Sequence, residues 1–310
     1  MPGFRTALPQ LDGRAFICHT GLETDLIFNH GVDLPSFASF PLLDSDVGRG
    51  HLRRSCSELI QIAREAGVGV ILESATWMAN RDRAAPVNYG PETLERVNRS
   101  AIALMAEFRG AMENPPVVLS GNLGPRSDAY VPGERMTAAE AAAYHAEQIG
   151  FFADTEADLV SGYTLAYVEE AIGMVEAARR CAMPIALSFT VETDGRLPTG
   201  TTLSDAIATV DEATGGYAAY FMINCAHPDH FAGVLENEPP SARLKGIVVN
   251  ASRCSHAELD EAEHLDDGDP VELGQQVAAV RKKFPHITVV GGCCGTDARH
   301  LAEIARRAGS

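Results

Sequence analysis

Short apolar runs of strand length recur along the chain, separated by segments whose apolar residues return every three or four positions. The runs are AFIC (15–18), VGVIL (68–72), PVVLS (116–120), ADLVSG (157–162), PIALSF (184–189), YAAYFMIN (217–224), LKGIVV (244–249) and ITVV (287–290). The intervening segments HLRRSCSELIQIAREAG, ETLERVNRSAIALMAEFRGAM, TAAEAAAYHAEQIGFFADTE, YVEEAIGMVEAARRC and PVELGQQVAAVRKKF carry helical periodicity. Eight strands alternating with helices predict parallel pairing through right-handed crossovers. The fold class expected is α/β, a single (β/α)₈ barrel over residues 1–310 with its working end at the C-terminal ends of the strands. An open doubly wound sheet is the alternative, but no GxGxxG follows the first strand and no GxxxxGK[ST] occurs. Helix starts are marked by Thr137 with Glu140 three residues on, a capping box, and by Thr201-Thr202 before LSDAIATV. The acidic run ELDEAEHLDDGD (258–269) reads as a solvated loop after the seventh strand.

Composition narrows the partners. With 25 basic and 42 acidic residues the formal charge is −17, which disfavours nucleic acid and anionic membranes. The N-terminus lacks the apolar core of a secretion signal and no stretch is long enough to span a bilayer, so a cytoplasmic protein is expected. In that compartment the seven cysteines suit a metal or catalytic role better than a disulfide framework.

Reading the strand ends together singles out three of those cysteines. The sixth run leads into Asn224-Cys225 and the eighth into Gly291-Gly292-Cys293-Cys294-Gly295. Strands six and eight are second neighbours around a barrel, so their ends can converge. Three thiolates at such an opening leave a fourth position vacant, the pattern of a catalytic zinc site, and sulfur selects zinc over hard cations. Gly291 and Gly292 would let the backbone take positive φ or approach closely, so that two consecutive side chains face one ion. The competing reading is three buried thiols acting as small apolar side chains beside a glycine turn. A zinc ion with three thiolates is a poor hydrolytic Lewis acid but holds a further thiol as a nucleophilic thiolate, which points to alkyl transfer to sulfur.

These motifs resemble the homocysteine S-methyltransferase family, whose members bind zinc through one cysteine of an Asn-Cys motif and two of a Gly-Gly-Cys-Cys-Gly motif. The likeness extends to AREAGVGVILESATWMAN, to SGNLGP (120–125) and to ALSFTVETDGRLPTGTTLSDAI. It implies a (β/α)₈ barrel with zinc as cofactor on Cys225, Cys293 and Cys294, moving a methyl group to homocysteine or a similar thiol to form methionine. The chain ends soon after the zinc motif and leaves no room for cobalamin or folate domains, so the resemblance implies a small sulfonium donor, S-methylmethionine or S-adenosylmethionine. Partners are then a small-molecule thiol and methyl donor, with no nucleic acid and no membrane; nothing in the sequence bears on oligomeric state.

Two positions depart from the family pattern. Where relatives end the first strand in Asp-Gly-Gly-x-x-Thr, this chain has His19-Thr20-Gly21-Leu22-Glu23-Thr24; where they end the fourth in Glu-Thr, it has Tyr163-Thr164. The resemblance implies that the missing acids hold the amino group of homocysteine. Either the acceptor lacks an ammonium or another acid reads it, with Glu23 and Glu73 as candidates and Glu192 as a weaker one; each could equally be an ordinary loop acid. Thr76, Met78, Asn122 and Asn224 fall where the family lines its site, and Trp77 either walls a cationic donor by cation-π contact or simply packs. The alternatives are the same zinc chemistry on a different thiol or donor, and a zinc-binding barrel without catalysis.

Overall fold

A computed structural model describes residues 2–238, 240–262 and 264–309. Eight parallel strands close into a barrel in sequence order: β1 (Phe16–Ile17), β2 (Gly69–Glu73), β3 (Val117–Leu123), β4 (Leu159–Leu165), β5 (Ile185–Thr190), β6 (Tyr220–Ala226), β7 (Leu244–Val249) and β8 (Val289–Gly292). β8 pairs back onto β1 through Phe16 with Val289 and Ile17 with Val290. One principal helix follows each strand: α1 (Asp46–Ala66), α2 (Pro91–Ala106), α3 (Ala138–Ala153), α4 (Val168–Arg180), α5 (Leu203–Thr214), α6 (Pro228–Asn237), α7 (Pro270–Lys283) and α8 (Ala298–Ala308). The barrel expected from the apolar runs is therefore the fold observed. Among the described residues no helix is long and apolar enough to cross a membrane.

Strand alternation divides the core in two. Outward residues such as Ile17, Val70, Leu72, Leu119 and Val160 pack against the helices, whereas Phe16, Ile71, Val118, Leu159, Tyr220 and Val289 fill the barrel. Nearer the C-terminal ends the filling turns polar, with Ser120 and Ser161 hydroxyls 2.7 Å apart and Glu73 and Tyr163 above them. The Thr137–Glu140 capping box starts α3 and the Thr202 hydroxyl caps α5, as the sequence indicates. The acidic run is not merely solvated. It opens with the short helix His256–Asp260, Asp266 accepts from the Ser252 hydroxyl at 2.5 Å, and the carbonyl of Asp267 meets His300 Nε2 at 2.7 Å. Glu263 of that run lies outside the described residues.

The opposite end of the barrel is plugged by the N-terminal segment around a buried carboxylate. Asp158 accepts from the backbone amides of Gly3, Phe4 and Leu119 at 2.8–2.9 Å and from Arg109 Nη1 at 3.0 Å, and its side chain has no solvent exposure. Arg5 adds bonds to the carbonyls of Ala153, Thr155 and Ala157. Removing one member of such a pair leaves the others buried and unpaired. Asp158→Ala is expected to cost about 3–5 kcal/mol of folding stability, measured by denaturant unfolding; a loss below about 1 kcal/mol would show that the plug is peripheral to the fold.

Candidate functional site

β6 and β8 deliver the cysteines by different local devices. In β6 the register against β7 slips between Asn224 and Ala226, and Cys225 at the slip takes φ +57°. A non-glycine residue in this left-handed region costs on the order of 1–3 kcal/mol and persists only where its surroundings fix it. Two contacts fix it. His256 Nε2 donates to the Cys225 carbonyl at 2.6 Å, and Asn224 reaches across β5 to Thr164, accepting from its amide at 2.9 Å and donating to its hydroxyl at 2.8 Å. Thr164, at the matching slip in β4, also has a left-handed backbone, φ +63°.

β8 ends at Gly292, so Cys293 and Cys294 leave the strand before alternation can send them to opposite faces. Close approach, rather than positive φ, explains the leading glycines. A Cβ on Gly291 would lie 2.4 Å from Cys18 Sγ, and one on Gly292 would overlap the Thr296 side chain. Gly295 supplies the left-handed turn, φ +79°.

The three sulfurs consequently lie within 4.8 Å of one another, with Cys225 and Cys294 Sγ 3.7 Å apart. Among the described residues this is the one cluster of three or more histidine, cysteine or acidic side chains with metal-binding spacing. Tetrahedral zinc with Zn–S bonds of about 2.3 Å requires sulfurs roughly 3.8 Å apart, so the donor set fits the ion in chemistry and in spacing. Hydrogen bonds from Cys293 and Cys294, and then from His256, hold the Cys225 thiol well below its ordinary pKa, while Cys293 and Cys294 are pushed up, chiefly by their bonds to Cys225. Burial opposes protonation of His256, but its bonds and attraction to Cys225, with Glu192 at 3.3 Å from Nδ1, raise it to about 9. Glu192 is thus engaged by a histidine.

Two cavities meet at the sulfurs. An inner one of about 90 Å³ is lined by His19, Glu23, Glu73, Asn122, Tyr163 and Asn224. An outer one of about 470 Å³ is lined by Met78, Asp128, Ser252, His256, Asp260 and Asp266, among others. Cys225 and Cys294 belong to both walls, as do Trp77 and Tyr130. Thr76 reaches neither; its hydroxyl donates to the Asn122 carbonyl at 2.8 Å and lies 2.6 Å from the Ser74 hydroxyl, bracing the β2 and β3 ends. One face of Trp77 already carries a cation, the Arg83 guanidinium 4.5 Å from the ring centroid.

Two residues absent from the sequence reading stand beside the sulfurs. The Tyr130 hydroxyl is 2.8 Å from Cys225 Sγ, and its ring stacks on His256 at 4.0 Å. His256 follows Ser255, whose pairing with Glu258 is a capping box legible in the sequence. Tyr130 sits in the loop after β3, where no periodic signal exists.

Comparison with known proteins bears on this arrangement. The family model for homocysteine S-methyltransferase matches residues 58–308. No curated protein matches by sequence. Among solved structures, the homocysteine methyltransferase MmuM from Escherichia coli is similar in fold. Its oxidized form superposes with a TM-score of 0.73 at 18% identity over 94% of this chain and 95% of that one. Its metallated form gives 0.72 at 19% identity over 96% of each chain. On the match over most of its length, the chain belongs to the homocysteine S-methyltransferase family and is a methyltransferase.

Proposed function

We propose that the protein is a zinc-dependent S-methyltransferase, one domain over residues 1–310, that moves a methyl group from a small sulfonium to homocysteine or a similar thiol, forming methionine. The observation that carries this reading is the three-sulfur cluster where two cavities meet, Cys225 and Cys294 lining both and Cys293 the inner one. S-methylmethionine and S-adenosylmethionine are the proposed donors, because the outer cavity combines acidic and aromatic side chains suited to a sulfonium cation. That the similar E. coli protein has a metallated form supports metal binding by this chain. All seven cysteines are free, in keeping with a reducing, cytoplasmic setting.

Zinc held by Cys225, Cys293 and Cys294 would supply an open position at which an acceptor thiol ionises near neutral pH. The chain's own part is positional. Asn224 and His256 fix the Cys225 backbone, while Tyr130 and Trp77 border both chambers. The acceptor sulfur forms the new S–CH₃ bond as the donor's C–S bond breaks, and the donor leaves as a neutral thioether. No general base is assigned.

Glu73 sits in the inner chamber at a cost. Burial raises its carboxyl from 4.5 to about 7, with the Ser120, Ser161 and Tyr163 hydroxyls offsetting only part of the effect. An acid whose folded pKa is raised contributes stability below its unfolded value and loses it as pH rises through the folded one, here between 4.5 and about 7.

Two outcomes are expected. Cys294→Ser should lose more than about 100-fold in zinc affinity and its methyl transfer from S-methylmethionine to homocysteine, read by metal analysis and methionine formation. Full retention of both sinks the site assignment, and zinc binding by the unaltered protein without turnover on any sulfonium leaves the non-catalytic barrel. Glu73→Gln should stabilise the protein by on the order of 3 kcal/mol near pH 8 and far less near pH 5, measured by denaturant unfolding. Equal effects at both pH values would contradict the buried, ionising carboxyl.

A further inference from the structure

The inner cavity contains polar atoms that the fold leaves unpaired. Glu73 Oε1 accepts from the Tyr163 hydroxyl at 3.2 Å, but Oε2 is buried without a hydrogen-bond partner. His19 Nδ1 lies 3.0 Å from the Thr20 carbonyl, which can only accept, so that nitrogen carries the proton. With the proton on Nδ1, Nε2 presents the lone pair of that tautomer, buried and without a partner. Asn122 Oδ1 is buried and unpartnered in the same way.

These groups are neighbours. Tyr163 touches both others at once, its ring edge-on to His19 with centroids 4.8 Å apart and its hydroxyl on Glu73. Asn122 is tied to the residue after Glu73, its amide donating to the Ser74 hydroxyl at 2.9 Å. Buried polar atoms are normally paired, and leaving several unpaired in one cavity marks the place a ligand completes. All three are acceptors. Among the described residues no lysine or arginine lines this cavity, and its other acid, Glu23, is engaged by the Ser39 hydroxyl at 2.7 Å. A primary ammonium, with three N–H donors and a positive charge, complements that set; a carboxylate meets no countercharge.

We propose that the acceptor is a primary aminothiol whose ammonium is held by Glu73, with His19 and Asn122 completing its hydrogen bonds, and that an acceptor carboxylate is dispensable. This rests on the methyl-transfer reading above, and it makes Glu73 the residue that determines acceptor specificity. The carboxylate that reads the ammonium stands at the end of β2, whereas His19 follows β1 and Tyr163 lies near the end of β4, without a carboxylate at either place.

The test compares homocysteine, its decarboxylated analogue and its deaminated analogue as acceptors, with S-methylmethionine as donor. The unaltered protein should use the first two within about tenfold in kcat/KM and the deaminated thiol at least about 30-fold less well, the lower end for an unpaired buried charge. Glu73→Gln should raise KM for both amines by about 30-fold or more with a much smaller change in kcat, and affect the deaminated thiol far less. Glu73→Asp should recover part of the loss, and Glu23→Gln should leave the preference for amines in place. Preference for the deaminated thiol, an equal KM rise for all three, or loss of amine preference in Glu23→Gln instead, would overturn the assignment. Calorimetry of L-methionine against its deaminated analogue, without a donor, reads the ammonium subsite apart from turnover. Binding that depends on Glu73 in a protein that methylates no thiol would refute the methyl-transfer reading and keep this one. Absence of discrimination in binding would refute the subsite.

Discussion

Three sulfurs converge at the barrel mouth because one backbone residue is held where its type rarely sits. Cys225 at φ +57° turns its side chain toward Cys293 and Cys294 instead of following the alternation of β6. The strain, on the order of 1–3 kcal/mol, persists because His256 holds the Cys225 carbonyl and Asn224 locks to Thr164 two strands away. Thr164 is strained in the same sense, so β4 and β6 are bent together. A closed barrel supports this: with every strand paired on both sides, a local slip in one strand is borne by its neighbours.

The same end of the barrel carries a second cost. Filling that is apolar around Phe16, Ile71 and Tyr220 gives way to hydroxyls and a buried carboxyl beneath the inner cavity. A well-packed apolar layer would be more stable than one leaving Glu73, His19 and Asn122 atoms unpaired. Stability at this end is given up for groups that a ligand can complete, while the opposite end is tightened by Asp158 and Arg5. The division of labour follows the fold, whose connecting loops gather at the C-terminal ends of the strands.

Chemistry at the sulfurs depends on separation as much as on convergence. Cys225 and Cys294 stand between a small polar chamber and a larger one bordered by Asp128, Asp260 and Asp266. Tyr130, from the loop after β3, borders both chambers and is backed at 4.0 Å by His256, from the short helix after β7. The acidic run after β7 therefore belongs to the mouth.

The sequence by itself determined the barrel, because eight apolar runs alternating with amphipathic segments admit few other closed arrangements, and strand periodicity is a local property of the chain. It also pointed to Cys225, Cys293 and Cys294, since cysteines at strand ends are few and the glycines around two of them are conspicuous. Other features had no local signature. The slip that turns Cys225 is set by β7, Thr164 and His256, residues distant in sequence. Of the two roles the sequence left open for Gly291 and Gly292, close approach is the one realised, against the Cys18 and Thr296 side chains that only packing brings near. Tyr130 lies in a loop and His256 opens a short helix after β7, and where each sits follows from what its segment rests on. The charge around Glu73 was decided last and only in three dimensions: a glutamate at a strand end is ordinary until the barrel closes over it, removes its water and leaves one oxygen without a partner.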